Sequence, residues 1–331
     1  MDFSVNTNPL GTPESVRLAA AEALQVMDRY PDPYCRELVS AVAAHEQLPE
    51  SNILCGCGAA ELIYSYCAAV KPQKALELAP TFSEYSAALE TVGCQAERYV
   101  LSGETGFAVT EDFLEYLKGG CWDTLFLCNP NNPTGRLIEP ALLKAAAEIC
   151  GERGIRLFAD ECFLDLTDRE EDSLKPLLSK YPNLLILKAF TKSYGMAGLR
   201  LGYCLSADGS LLAAMGKTVQ PWNVSLPAQA AGAAACKETA FLKRARELIR
   251  IERTRLQQCL TELGIRVIPS EANYLLFYSP LPLKDLLLEQ GILIRDCSNY
   301  AGLETGWYRI AVRRQEENEK LITALKGAIY G

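Results

Sequence analysis

Short apolar runs alternating with helix-length amphipathic stretches fill the middle of this chain, and that alternation restricts its fold more than any other feature. Lys74–Leu78 (KALEL), Gln95–Val100, Thr124–Cys128 (TLFLC), Ile155–Asp160 (IRLFAD), Leu184–Lys188 (LLILK) and Arg200–Leu205 (RLGYCL) have the length and composition of strands. Thr81–Val92, Thr110–Lys118 and Glu139–Glu152 lie between several of them and are spaced as helices. Such strands need cover on both faces, and intervening helices supply it, so the pattern predicts a mostly parallel, doubly covered α/β sheet. The second half changes character. A long charged amphipathic helix, about Thr239 to Leu263, precedes Ile265–Ile268, Ala272–Tyr278, a helix near Leu283–Gln290, Ile292–Arg295, Tyr308–Val312 and a final helix from Gln315. This reads as a smaller α+β domain. The predicted organisation is an N-terminal arm over residues 1–30 packing with the small domain, a large domain over 31–225 and the small domain over 226–331.

Composition closes off several classes of function. With 331 residues, 49% of them hydrophobic, the chain is long enough for a large core. A net charge of −8 with no long Lys/Arg block argues against nucleic acid as a partner. No apolar run reaches the roughly 18 residues that span a bilayer, and MDFSVNTNPLG lacks the basic and apolar regions of a signal peptide. Thirteen cysteines at irregular spacing, with Cys55 and Cys57 as CxC and no paired CxxC, read as small buried thiols of a cytoplasmic protein. The single histidine, His45, leaves little for a catalytic triad or a His-based zinc site, and no metal is expected.

Three separated pieces carry chemistry. Lys192 lies in AFTKSYGMAGLRLGY (189–203), with Arg200 eight residues on; Asn132 lies in the turn CNPNNPTG (128–135); Asp160 ends the strand in FADEC (158–162). Together they offer an amine for a Schiff base, a carboxylate for a pyridinium nitrogen and a cation for a phosphate, which is the protein's share of pyridoxal 5′-phosphate (PLP) chemistry. Asp160 falls where open α/β sheets place ligands, beyond the carboxyl ends of strands, although an Asp there can also cap the next helix. Asn132 can donate to the cofactor's 3′-oxygen, and its turn is equally ordinary Asn-Pro chemistry. The stretch from Gly56 to Ala60 (GCGAA) opens a helix and can bring backbone N–H groups to an oxyanion, helped by Thr191 and Arg200. It lacks the GxGxxG spacing and the Walker lysine, so a plain tight turn fits it too. Phe82, in PTFSEY, can stack on a flat ring or fill the core. Arg295 and Arg309 sit in apolar strands and need anionic partners, which points to a substrate with two negative charges, or with a carboxylate and a phosphate.

These stretches resemble the fold type I PLP-dependent enzymes of the class I/II aminotransferase family, in the branch that holds the histidinol-phosphate aminotransferases and the threonine-phosphate decarboxylases. The likeness runs along the whole chain, through DFSVNTNPLG (2–11), RYPDPYC (29–35), PTFSEY (80–85), LFLCNPNNPTG (125–135), TKSYGMAGLRLGY (191–203), EANYLLF (271–277) and ILIRDCSNYAGLETGWYRIAVR (292–313). The last run is closer to the decarboxylases. The resemblance implies that Lys192 carries the cofactor and that Asp160 binds its pyridine nitrogen. It implies that Asn132 binds the 3′-oxygen, that Phe82 stacks on the ring, and that Gly58, Ala59, Ala60, Thr191 and Arg200 hold the phosphate. Tyr30 would reach the phosphate in the neighbouring subunit of a homodimer, Arg295 and Arg309 would bind the substrate's anions, and Asn8 would lie near the substrate.

Three features depart from the patterns of these relatives. Phe163 stands where most of that group have a Tyr, as it does in the decarboxylase branch; Ala189 replaces a hydroxyl residue; and the chain opens without the His-Gly-Gly segment that helps close the decarboxylase site. The expected activity is decarboxylation of O-phospho-L-threonine to aminopropanol phosphate in cobalamin biosynthesis, with amino transfer of the histidinol-phosphate type as the alternative. A PLP-sensing regulator built on this fold would carry a basic DNA-binding module, for which the acidic chain offers no candidate.

Overall fold

The computed structural model describes residues 1–330. Seven strands form the large sheet: β1 (Ile53–Gly56), β2 (Ala75–Ala79), β3 (Ala96–Val100), β4 (Thr124–Cys128), β5 (Arg156–Asp160), β6 (Leu184–Ala189) and β7 (Gly202–Ser206), in the order β1-β7-β6-β5-β4-β2-β3. Strands β2 to β6 pair in parallel, while β7 runs antiparallel to both β6 and β1. Side chains alternate along each strand, and both faces are buried except at the edge strand β3, whose residues are half-buried or exposed. Leu125 and Leu127 enter the core on one face with Leu143, Ala146 and Cys150 of helix Pro140–Arg153. Phe126 and Cys128 enter the other with Leu62, Ile63 and Tyr66 of helix Gly58–Val70.

The register lines up one edge. Cys128 pairs with Asp160, Asp160 with Leu187, and Ala189 with Gly202, which also pairs with Gly56. The carboxyl ends of β1, β2, β4, β5 and β6 therefore share that edge. Because β7 is reversed, its amino end arrives there too, and brings Arg200 with it.

A four-stranded antiparallel sheet follows, in the order β10-β11-β9-β8: β8 (Arg266–Val267), β9 (Tyr274–Tyr278), β10 (Arg295–Asp296) and β11 (Trp307–Ala311). The strand expected over Ile292–Arg295 begins only at Arg295. Leu293 pairs instead with the N-terminal segment, its N–H donating to Met1 O and its carbonyl accepting from Phe3 N, each at 2.8 Å. Phe3 is fully buried among Leu275, Phe277 and Ile310. Helix Glu14–Ala23 turns back and packs on helix Leu226–Ala235. His45 makes a structural contact, its Nδ1 lying 3.1 Å from Cys236 O. The thirteen cysteines are unbridged. Among the described residues no helix is long and apolar enough to cross a membrane, and no His/Cys/Asp/Glu cluster could hold a metal.

Candidate active site

A cavity of about 460 Å³ opens between the shared strand edge and the small sheet. Asp160, 5% exposed, closes its floor. One carboxylate oxygen accepts from the Tyr85 hydroxyl at 2.6 Å and the other from Cys162 N at 2.9 Å. Burial raises the acid's pKa, and these two hydrogen bonds oppose the rise. A carboxylate desolvated to this degree and facing a cavity has room for a cationic partner such as a protonated pyridine nitrogen.

Lys192 stands on the single turn Phe190–Ser193 that follows β6. Its Nζ lies 5.4 Å from the centre of the Phe163 ring. Burial, with the nearby Arg309 and Arg200 guanidiniums, pulls the amine's pKa down to about 8. The neutral, nucleophilic form is thus accessible close to neutral pH, as attack on an aldehyde requires.

The phosphate cradle fits as well. Gly58 adopts φ +83°, and a Cβ there would stand 2.6 Å from Arg200 Nη2. Only glycine lets that guanidinium close over the first turn of helix Gly58–Val70. Ala59, Ala60, Thr191 and Arg200 line the cavity there, so backbone donors, a hydroxyl and a cation converge. The Glu61 carboxylate is turned aside, where it accepts from Cys57 N at 2.6 Å and Asn223 Nδ2 at 2.5 Å. Ala189, at the cavity wall, adds no hydroxyl.

The opposite wall comes from the small sheet. Arg295 on β10 and Arg309 on β11 are direct cross-strand partners, and both face the cavity. Like charges placed opposite each other oppose strand pairing, yet neither arginine has an ion-pair partner among the described residues. Arg309, 7% exposed, donates to Asn132 Oδ1 and, at 3.0 Å, to Ser4 O. With its amide oriented to match, Asn6 Oδ1 accepts from Arg309 Nε and Nη1 at 3.2 Å. Arg295 donates to Asn299 Oδ1 at 2.9 Å and lies over the Tyr300 ring. Every acceptor on this pair is neutral. Asn132 spends its carbonyl on Arg309, so its amide nitrogen is the end left to donate.

Most residues singled out from the sequence meet here: Lys192, Asp160, Asn132, Phe82, Ala59, Ala60, Thr191, Arg200, Arg295 and Arg309 line the cavity, and Gly58 borders it through Arg200. Two do not. Asn8 is buried outside the wall, donating to Ser193 O at 2.8 Å and accepting from Leu10 N at 2.9 Å. That second contact is the ordinary turn bond of an Asn before Pro, a signal present in VNTNPLG. Ser4 and Asn6 supply the wall from the same segment. Tyr30 is exposed and away from this chain's cavity, its ring centroid 4.7 Å from that of Trp222. Tyr85 escaped the sequence reading although it lies in PTFSEY; its role depends on Asp160, 75 residues on.

Comparison with known proteins follows the same lines. The model of the aminotransferase class I and II family matches residues 1–325. A threonine-phosphate decarboxylase of Salmonella typhimurium is 40% identical, over 100% of this chain and 92% of its own length. A histidinol-phosphate aminotransferase of Cupriavidus pinatubonensis is 32% identical, over 98% of this chain and 87% of its own. The crystal structure of the histidinol-phosphate aminotransferase from Clostridium acetobutylicum superposes with a TM-score of 0.93 at 28% identity, covering 100% of this chain and 99% of that one.

Proposed function

The chain belongs to the class I and II aminotransferase family, with the PLP-dependent fold type I and PLP as cofactor, and on that premise we propose that it decarboxylates O-phospho-L-threonine to aminopropanol phosphate in cobalamin biosynthesis. The observation that carries this reading is the cross-strand pair Arg295–Arg309, two cavity-facing cations with only neutral acceptors. Two guanidiniums match a phosphate dianion in charge and in planar, forked geometry. The 40% identity to a threonine-phosphate decarboxylase supports the same choice.

When bound, PLP would supply an electron sink for a bond broken at the substrate Cα. The residues decide which bond that is. Asp160 would hold the pyridine nitrogen protonated, Asn132 would donate to the 3′-oxygen, Phe82 would pack on the ring, and Arg200, Thr191 and the amides of Gly58 to Ala60 would grip the phosphate. If Arg295 and Arg309 together hold the substrate phosphate, the carboxylate is left unclamped and free to leave as carbon dioxide. Lys192, poised by its low pKa, then returns a proton to Cα. An exposed aromatic patch with Tyr30, Tyr34 and Trp222 supports a homodimer in which Tyr30 reaches the partner's cofactor phosphate.

One contact favours the second reading, amino transfer on histidinol phosphate or a similar amino acid. Arg309 is drawn to Asn132, where it could clamp a carboxylate in place and leave the Cα–H bond exposed to Lys192. The test mixes PLP-loaded protein with O-phospho-L-threonine and no keto acid. Catalytic release of carbon dioxide and aminopropanol phosphate is expected. Keto acid formation without carbon dioxide would replace the proposal with the aminotransferase.

A further inference from the structure

Beneath the turn that bears Lys192 lies a second group of charges that the proposed reaction does not touch. Asp165 sits on the short turn Leu164–Leu166, five residues beyond Asp160. Its Oδ1 accepts from Lys188 Nζ at 2.7 Å and its Oδ2 from Ser193 Oγ at 2.9 Å. Lys188 belongs to β6, just before the Phe190–Ser193 turn, and Ser193 ends that turn. One carboxylate therefore ties both flanks of the Lys192 turn to the segment that leaves Asp160. Behind it, Lys188 lies 3.5 Å from Glu46 Oε1. Glu46 is fixed in turn by the Tyr203 hydroxyl of β7 at 2.6 Å and by Lys175 Nζ at 2.9 Å.

Stability alone does not account for this arrangement. Taking charges out of water costs about as much as their attraction returns, and well-packed apolar residues commonly fold as well or better. What an ionic group supplies and an apolar one does not is a fixed direction and distance. Here both are applied to the turn that must hold the Lys192 amine against Asp160.

We propose that Asp165 is a positioning residue for Lys192, acting through Ser193 and Lys188 to fix the turn that presents the amine relative to Asp160. The inference rests on the reading of Lys192 as the cofactor-bearing residue and concerns no group that touches substrate.

Ser193→Ala is the sharpest test, because it cuts the tie next to Lys192 and leaves no buried charge unpaired. Asp165→Asn is the second variant, since it keeps the shape and removes the charge. Each is loaded with PLP. Four quantities are compared with the unaltered protein: cofactor captured on the Lys192 peptide by borohydride reduction, visible circular dichroism per bound cofactor, kcat against KM for O-phospho-L-threonine, and melting temperature. Expected are near-full capture, reduced dichroism per cofactor, and a roughly ten-fold lower kcat with KM nearly unchanged, since small misplacements of a reacting group act on kcat.

Unchanged dichroism and kcat in both variants at full cofactor content would overturn the proposal. A loss of folded protein that accounts for the whole fall in kcat would overturn it too. Absence of capture on Lys192 in the unaltered protein would remove the reading itself and the inference with it, and is told apart because it needs no variant.

Discussion

Lys188 and Lys192 are four residues apart on one strand and its following turn, and their surroundings shift them in opposite directions. Lys188, buried behind β6, would lose its charge to desolvation, but Asp165, Glu46 and Glu161 hold its pKa above the usual lysine value. Lys192, at the cavity, has only the weak opposing pull of Asp160 and Cys162; burial and two arginines bring it down to about 8. The same division runs through the neighbouring charges. Burial favours the neutral form of Glu46, yet Lys188 and Lys175 take it down to about 2. Arg295 and Arg309 meet only neutral acceptors. Charges completed within the chain hold the fold together, and charges left incomplete at a cavity mark where ligand anions belong. Loss of a cavity charge should therefore cost activity and leave stability intact, whereas loss of Lys188, which strands two buried carboxylates, should cost stability first.

The largest effect falls on Lys192. Lys192→Ala should abolish borohydride capture of the cofactor and lower turnover by roughly four orders of magnitude or more, because nucleophile and proton carrier vanish together. Its melting temperature without cofactor should not fall, since an incompletely paired amine is removed. Retained turnover would sink the scheme. Lys188→Met is the counterpart. It strands Asp165 and Glu46 in a buried site and should cost about 3–5 kcal/mol of stability, read from denaturant unfolding. If Lys188→Met were as stable as the unaltered protein, the division drawn here would collapse.

Arg309→Gln comes next. It should lower kcat/KM for the phosphorylated substrate by roughly 10²–10³-fold, the scale of about 3–4 kcal/mol for truncating one side of a desolvated charged contact. Stability should hold, because Asn6, Asn132 and Ser4 O are neutral groups that lose a donor and strand no charge. An equal fall with a substrate lacking phosphate would show that Arg309 serves the carboxylate, and would favour amino transfer.

The cavity side of the comparison was largely legible in the sequence, and the cluster side was not. Asp160, Lys192 and Arg200 announce themselves because each sits at a strand end, and strand ends show as breaks in apolar runs. TLFLC became β4 without a shift, and the β5 and β6 boundaries moved by one residue. Glu46, Asp165 and Lys188 come from three distant segments, and LLILK reads as a strand whose lysine could as well reach solvent. Only the packing of helix Arg36–Glu46 behind β7 encloses it. The reversal of β7 was likewise beyond periodicity, which reports burial but not direction. Asn6 at the cavity wall escaped for the same reason: two asparagines two apart look alike until the turn bond of Asn8 is seen.

The smallest effect sharpens the boundary between the two groups. Glu161 directly follows Asp160 but turns to the cluster, accepting from Ser173 Oγ at 2.6 Å and Leu174 N at 2.8 Å. Burial lifts its pKa from 4.5 to about 7, against the pull of Lys188. The folded chain therefore holds this proton more tightly than the unfolded one. Stability is lost as pH rises from 4.5 to 7, and the penalty is complete above 7. Glu161→Gln removes the titration, so it should stabilise the protein by on the order of 2 kcal/mol at pH 8. Most of that gain should be gone at pH 5, just above the unfolded value, where the penalty has only begun to build. Denaturant midpoints at the two pH values read the difference directly. An equal gain at both would mean that Glu161 titrates alike in the folded and unfolded chain, and that its burial carries no proton penalty.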